Sequence, residues 1–201
     1  MSRASTVAHA VALAAALSAG ACQPRTEIVV GILTDLPVPG SLMSIGLDAD
    51  RDGVPVDRRG WPMANAPLEL PGTYGLYSPS GGSTAITIVL SGFRTSITPV
   101  VTRTVNVTLL EGKTLFLRMA LVQACINHSC PAGKGCVEGA CVDENVDSRT
   151  LPAYQPELAQ IVACDSGTHY IDVSTGAELP IAGSCPSGQT CQEGLCYLPP
   201  P

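Results

Sequence analysis

Between residues 26 and 122, apolar side chains recur at every second position. That is the period of a strand with one face in a core and the other in water. Ile28, Val30 and Ile32 share a face in a run that ends near Thr34. Met43, Ile45 and Leu47 repeat the pattern, as do Val54 and Val56. Ile86, Ile88 and Leu90 give its clearest form, in TAITIVLSGF. Val101, Val105, Val107 and Leu109 share a face on which Arg103 is the exception, and Leu115, Leu117, Met119 and Leu121 make the last strand. Turn formers separate the runs: Pro37-Val38-Pro39-Gly40, Asp52-Gly53, Pro71-Gly72, Ser80-Gly81-Gly82 and Glu111-Gly112-Lys113. No long helical period follows. The pattern predicts an all-β body over 26–122, an antiparallel β-sandwich of immunoglobulin-like kind with about seven or eight strands. With only one Trp and two Phe, its core must come from Val, Ile and Leu, which suits half-buried strands better than a large ligand pocket.

Ahead of this body, residues 1–21 read as a secretory signal peptide. Arg3 gives a small positive n-region, and Ala10 to Leu17 is an apolar stretch too short to span a bilayer. Ala19-Gly20-Ala21 fits an ordinary signal-peptidase site. The same stretch ending in Cys22 is similar to a bacterial lipobox, in which the cysteine thiol is acylated before cleavage. Cysteine parity favours the second route. Of nine cysteines, eight fall after residue 124 in two groups of four, and Cys22 is left over. Lipidation of Cys22 accounts for that odd thiol. At about 0.8 kcal/mol for each buried CH₂, acyl chains there would hold the protein to a membrane, with 22–25 as the tether. Gln23 follows where an inner-membrane retention signal would place Asp, so the expectation is the outer membrane; secretion or a periplasmic location is the alternative.

The tail carries an internal repeat. Cys130-Pro131-Ala132-Gly133-Lys134-Gly135-Cys136-Val137-Glu138-Gly139-Ala140-Cys141 aligns with Cys185-Pro186-Ser187-Gly188-Gln189-Thr190-Cys191-Gln192-Glu193-Gly194-Leu195-Cys196. Cys125 precedes the first copy closely and Cys164 precedes the second at a distance. Two four-cysteine modules follow, 123–142 and 157–201, joined by an acidic, proline-bearing linker at 143–156. Neither holds enough apolar material for a core of its own, and disulfides at roughly 2–4 kcal/mol each would substitute by limiting the unfolded chain. Each set of four allows three pairings. First to third and second to fourth is our expectation: Cys125–Cys136 with Cys130–Cys141, and Cys164–Cys191 with Cys185–Cys196. Zinc is the rival, since His128 lies among the first four thiols. Export to an oxidising compartment favours disulfides instead.

Charge narrows the function classes. The formal net charge is −6, and residues 123–201 set Lys134 and Arg149 against nine acids. That balance excludes a phosphate-backbone partner, so no nucleic acid is expected. Asp48-Ala49-Asp50-Arg51-Asp52-Gly53 opens like a calcium loop, but Arg59 stands where the bidentate acid belongs and Asp57 is two residues early. Asp48, Asp50, Asp52 and Asp57 are therefore weak calcium candidates, and the plainer reading is a hairpin tipped by Asp52-Gly53. No Gly-rich phosphate loop or nucleophile elbow occurs, and neither His128 nor His169 sits with a plausible nucleophile. No catalytic residue, metal or cofactor is expected.

The signal ending at Cys22, the opening Thr26-Glu27-Ile28-Val29-Val30-Gly31 strand, and the late Cys-x-x-Gly-x-x-Cys-x-x-Gly-x-Cys followed by Leu151-Pro152-x-Tyr154 give the chain a likeness. Over most of its mature length it resembles a group of envelope lipoproteins of myxobacteria and related deltaproteobacteria. The resemblance implies a lipid-anchored β-sandwich with a disulfide-bonded tail, and no activity. The expectation is a non-enzymatic envelope module for binding, adhesion or structural contact, its partner an envelope protein or polymer. The alternatives are a calcium-stabilised extracellular domain and an envelope-polymer hydrolase using Asp48, Asp50 and Asp52.

Overall fold

A computed structural model describes residues 25–38, 40–63, 68, 70–95 and 97–159, together with the backbone of four short strands in 169–197. Seven strands build the body: β1 (Glu27–Thr34), β2 (Ser44–Arg51), β3 (Val54–Pro62), β4 (Gly72–Tyr77), β5 (Thr84–Phe93), β6 (Pro99–Leu109) and β7 (Thr114–Leu121). They form two sheets, ordered β4-β1-β7 and β3-β2-β5-β6. Apolar residues from both sheets join in one buried cluster, among them Ile28, Val30 and Ile32 with Leu47, Ile88, Leu90, Val105 and Leu117. Among the described residues there is no α-helix, and no helix is long and apolar enough to cross a membrane.

Several elements differ from the sequence expectation. β1 and β7 pair in parallel, Ile28 opposite Leu115 and Ile32 opposite Met119, whereas the other pairs in the two sheets are antiparallel. Alternation specifies which face a strand buries and says nothing of its neighbour's direction. β1 is also buried on both faces, because Val29 and Leu33 are buried along with Val30 and Ile32 between them. At Gly31 the ring of Phe116 fills the place of a side chain, so that an added Cβ would lie 2.4 Å from Phe116 Cζ. Met43 lies just outside β2 and is 45% exposed, and Val54 and Val56 are 63% and 46% exposed. They keep the strand period without the burial, since β3 is an edge strand with water on most of its length. β4 is an element the pattern did not reveal.

The first cysteine module folds onto the body. β8 (Lys134–Val137) and β9 (Ala140–Asp143) form a hairpin whose tip, Glu138 and Gly139, has positive φ at both residues, 52° and 82°. Positive φ at both central positions makes the tight turn that matches strand twist, and glycine takes it without steric cost. Cys136 and Cys141 stand opposite each other on this hairpin. Each is bonded elsewhere, Cys136 to Cys125 and Cys141 to Cys130. The Cys125–Cys136 bridge is buried within the core cluster of the body.

The acidic segment read as a linker is no free tether. The Asn106 N–H donates to the Glu144 carbonyl, the Val146 N–H to the Asn106 carbonyl, and the Thr108 N–H to the buried Ser148 hydroxyl. Further on, the Phe116 N–H donates to the Pro152 carbonyl and the Tyr154 N–H to the Thr114 carbonyl. Residues 144–154 thus lie along the outer edges of β6 and then β7 and satisfy their unpaired backbone groups. Polar composition reported exposed side chains and concealed this backbone role. In the second half of the tail, β10 (His169–Asp172) pairs with β11 (Ala177–Pro180), and β12 (Thr190–Gln192) with β13 (Leu195–Tyr197). Cys191 stands opposite Cys196 there, the register of Cys136 and Cys141 in the first repeat.

Candidate functional site

The edges of β3 and β4 lie on the other side of the body, and the space between them is a cleft. It has a volume of about 260 Å³ and is lined by Ala49, Leu76, Ile86 and Leu109 at its apolar base and by Arg51, Asp57, Arg59, Tyr74 and Tyr77 among its polar walls. The register explains the walls. Ala49 and Leu47 face the core from β2, so their β3 partners Asp57 and Arg59 point to the same side. From β4, Tyr74 meets them beside buried Leu76.

These three side chains form one network. The Tyr74 hydroxyl donates to Asp57 Oδ2 at 2.7 Å and accepts from Arg59 Nε at 2.5 Å. Arg59 Nε also lies 3.2 Å from Asp57 Oδ1. The guanidinium stands 5.7 Å over the Tyr74 ring, and Trp61 meets the same ring edge-on with centroids 5.5 Å apart. Partial burial, reinforced by the Asp57 hydrogen bond, pushes the Tyr74 hydroxyl above its ordinary range, so at neutral pH it remains a donor. The Tyr74 hydrogen bond and the Asp57 charge raise Arg59 likewise, and it stays charged. Past Tyr77 the cleft opens into a broader depression at Arg25, Ser78, Gly81 and Glu111, with the Arg25 guanidinium 6.0 Å from the Tyr77 ring centre.

The residues singled out from sequence are placed differently. Asp48 pairs with Arg58, its cross-strand neighbour on the outer face of the β2–β3 hairpin. Asp52 and Gly53 make the hairpin tip, with φ of 53° and 76°. Asp57 faces the opposite side, toward Tyr74. The structure therefore does not gather Asp48, Asp50, Asp52 and Asp57 around one point, and of the four only Asp57 lines the cleft. Among the described residues, the one group with metal-ligand proximity is His128, Cys130 and Cys141. Two of its members are a disulfide, whose sulfurs are not the thiolates a metal requires. Cys22, Cys164 and Cys185 lie outside the described residues, as do the side chains of Cys191 and Cys196.

Sequence reasoning missed Tyr74, Arg59 and Trp61. A signal existed in the concentration of rare aromatics at 61, 74 and 77, three of the eight in the chain. No family model, curated protein or solved structure matches the chain.

Proposed function

We propose that this protein is an envelope lipoprotein whose body, an immunoglobulin-like β-sandwich, is a binding module, with the β3–β4 cleft as its binding surface. The observation that carries the reading is the cleft itself, where Tyr74, Tyr77 and the guanidiniums of Arg51 and Arg59 surround an apolar base. Flat rings beside fixed donors and one acceptor suit a polyhydroxylated chain. The rings cover the C–H faces of a sugar, while Arg59, Tyr74 and Asp57 meet its hydroxyls. An envelope glycan is the partner of that chemistry. The mouth of the cleft includes Arg25, three positions after Cys22. Acylation at Cys22 would hold that mouth close to the lipid surface, in the outer membrane on our reading.

Binding is favoured over hydrolysis because acid–base cleavage of a glycan uses two carboxyl groups flanking one bond. Asp57 is the one carboxylate among the described residues lining the cleft proper, Glu111 stands out in the wider depression past Tyr77, and Asp48 is engaged by Arg58 on the outer face.

Trp61 is the single tryptophan of the chain, so its emission reports on this site alone. Titration with soluble peptidoglycan fragments or de-acylated lipopolysaccharide is expected to give a saturable change in Trp61 fluorescence. Arg59→Ala should weaken it by about tenfold, and Tyr74→Phe by a smaller factor, the scale of a charged and a neutral hydrogen bond. Flat emission with every envelope glycan, alongside calorimetry that detects no binding, would refute the reading.

A further inference from the structure

The two disulfides of the first module differ in setting. Cys125 and Cys136 are 4% and 5% exposed and belong to the core cluster, and the Gly139 N–H donates to Cys125 Sγ. Cys130 and Cys141 are only half-buried, and the chain flanking Cys130 is exposed at Ser129 and Pro131. His128, itself exposed, lies with Nε2 3.4 Å from Cys141 Sγ. An imidazole beside one sulfur of an accessible bridge is the arrangement that eases departure of that sulfur as a thiolate.

We propose that Cys130–Cys141 is a thiol–disulfide exchange site that reacts with an external dithiol, with His128 stabilising the leaving sulfur. One thiol of the partner, deprotonated, attacks Cys130 Sγ. The bond to Cys141 breaks, and its electron pair leaves on Cys141 Sγ, which accepts a hydrogen bond from His128 in the tautomer protonated at Nε2. The second partner thiol then attacks the partner's own sulfur in the mixed disulfide and releases Cys130 as a thiolate. The partner ends as its disulfide, and this protein gains two electrons and two protons. Cys125–Cys136 stays closed, because its sulfurs are inaccessible to a nucleophile while the module is docked.

The repeat supplies an internal contrast. Where the first copy has His128-Ser129 before Cys130, the second has Gly183-Ser184 before Cys185. At that position the imidazole belongs to the first copy alone.

The test uses the full oxidised chain, a dilute dithiol such as dithiothreitol, and timed alkylation followed by peptide mass spectrometry. Alkylation at Cys130 and Cys141 is expected about tenfold or more ahead of Cys125 and Cys136. His128→Ala should slow opening of Cys130–Cys141 several-fold and leave Cys125–Cys136 unchanged. His128→Gln retains a side-chain N–H donor and should recover part of the rate, which a merely structural role would not produce. Simultaneous opening of both bridges would overturn the proposal, as would an outer-bridge rate indifferent to both substitutions. Far-UV circular dichroism of each variant separates misfolding from slowed exchange.

Discussion

The two long sides of the body treat the same physical problem in opposite ways. Each is a place where two sheets end and edge strands present unpaired backbone groups to solvent. At β6 and β7 the chain continues past the last strand and lays 144–154 along both edges, with Cys125–Cys136 sunk into the core beside them. At β3 and β4 nothing among the described residues pairs the edges. Side chains close the gap instead, and the Asp57–Tyr74–Arg59 network leaves a cleft above the apolar base. Backbone strapping makes a rigid, covered wall. Side-chain bridging makes a wall that a ligand can contact, because its donors and rings remain partly in water.

The largest effect should come from breaking the covered side. Replacing Cys125 and Cys136 with Ala removes a bridge of sequence separation 11 that lies in the core. The expected loss is about 2–4 kcal/mol in urea denaturation without reductant, the other disulfides being intact. The same replacement at Cys130 and Cys141 should cost less, because their sulfurs bury less surface. Equal losses would mean that the inner bridge is no part of the core.

On the open side, Tyr74→Phe removes a hydroxyl that is only partly buried. Its stability cost should stay under about 1 kcal/mol, while the proposed glycan binding should weaken. A large destabilisation would make the network a structural seal and not a binding surface.

The smallest effect is electrostatic and lies on the covered side. Asp143 Oδ1 accepts from the Asn145 backbone N–H at 2.8 Å and from its side-chain amide at 2.7 Å. These bonds hold its carboxyl below the ordinary value of 3.8. A carboxyl depressed in the fold contributes stability that is present above its unfolded pKa and is lost as pH falls through its folded pKa. Asp143→Asn should therefore lower the urea midpoint slightly at pH 6 and converge with the wild type in acid well below pH 3.8. A gap that persists unchanged into strong acid would contradict the assignment.

How much of this was legible in sequence depended on the side. Along β5, β6 and β7 the alternating apolar positions are the buried ones, since those strands carry a core face and a wetter face. The Asp52-Gly53 tip was readable from turn chemistry alone. Disulfides in the tail followed from cysteine spacing, and two are present among the described residues. β4 was not legible, because in GTYGLY only Leu76 is a deeply buried apolar residue and glycines hold two of the six positions. Val54 and Val56 had the period of core residues, but their exposure follows from the place of β3 at the edge of its sheet, and strand order is not written in a local pattern. The same limit hid the cleft. Its polar walls come from β3 and β4, and Asp57 meets Tyr74 across 17 positions of chain through tertiary pairing alone.

Hydrogen–deuterium exchange of the oxidised full chain, with and without a saturating envelope glycan, tests the contrast between the two sides most directly. Without ligand, amides of Asn106, Thr108, Phe116 and Tyr154 should exchange slowly, and the outer edges of β3 and β4 fast. With ligand, new protection should fall on residues 54–62 and 72–77 and leave 144–154 as it was. New protection confined to 123–154, with β3 and β4 unaffected, would place the binding surface on the wrong side and contradict the account.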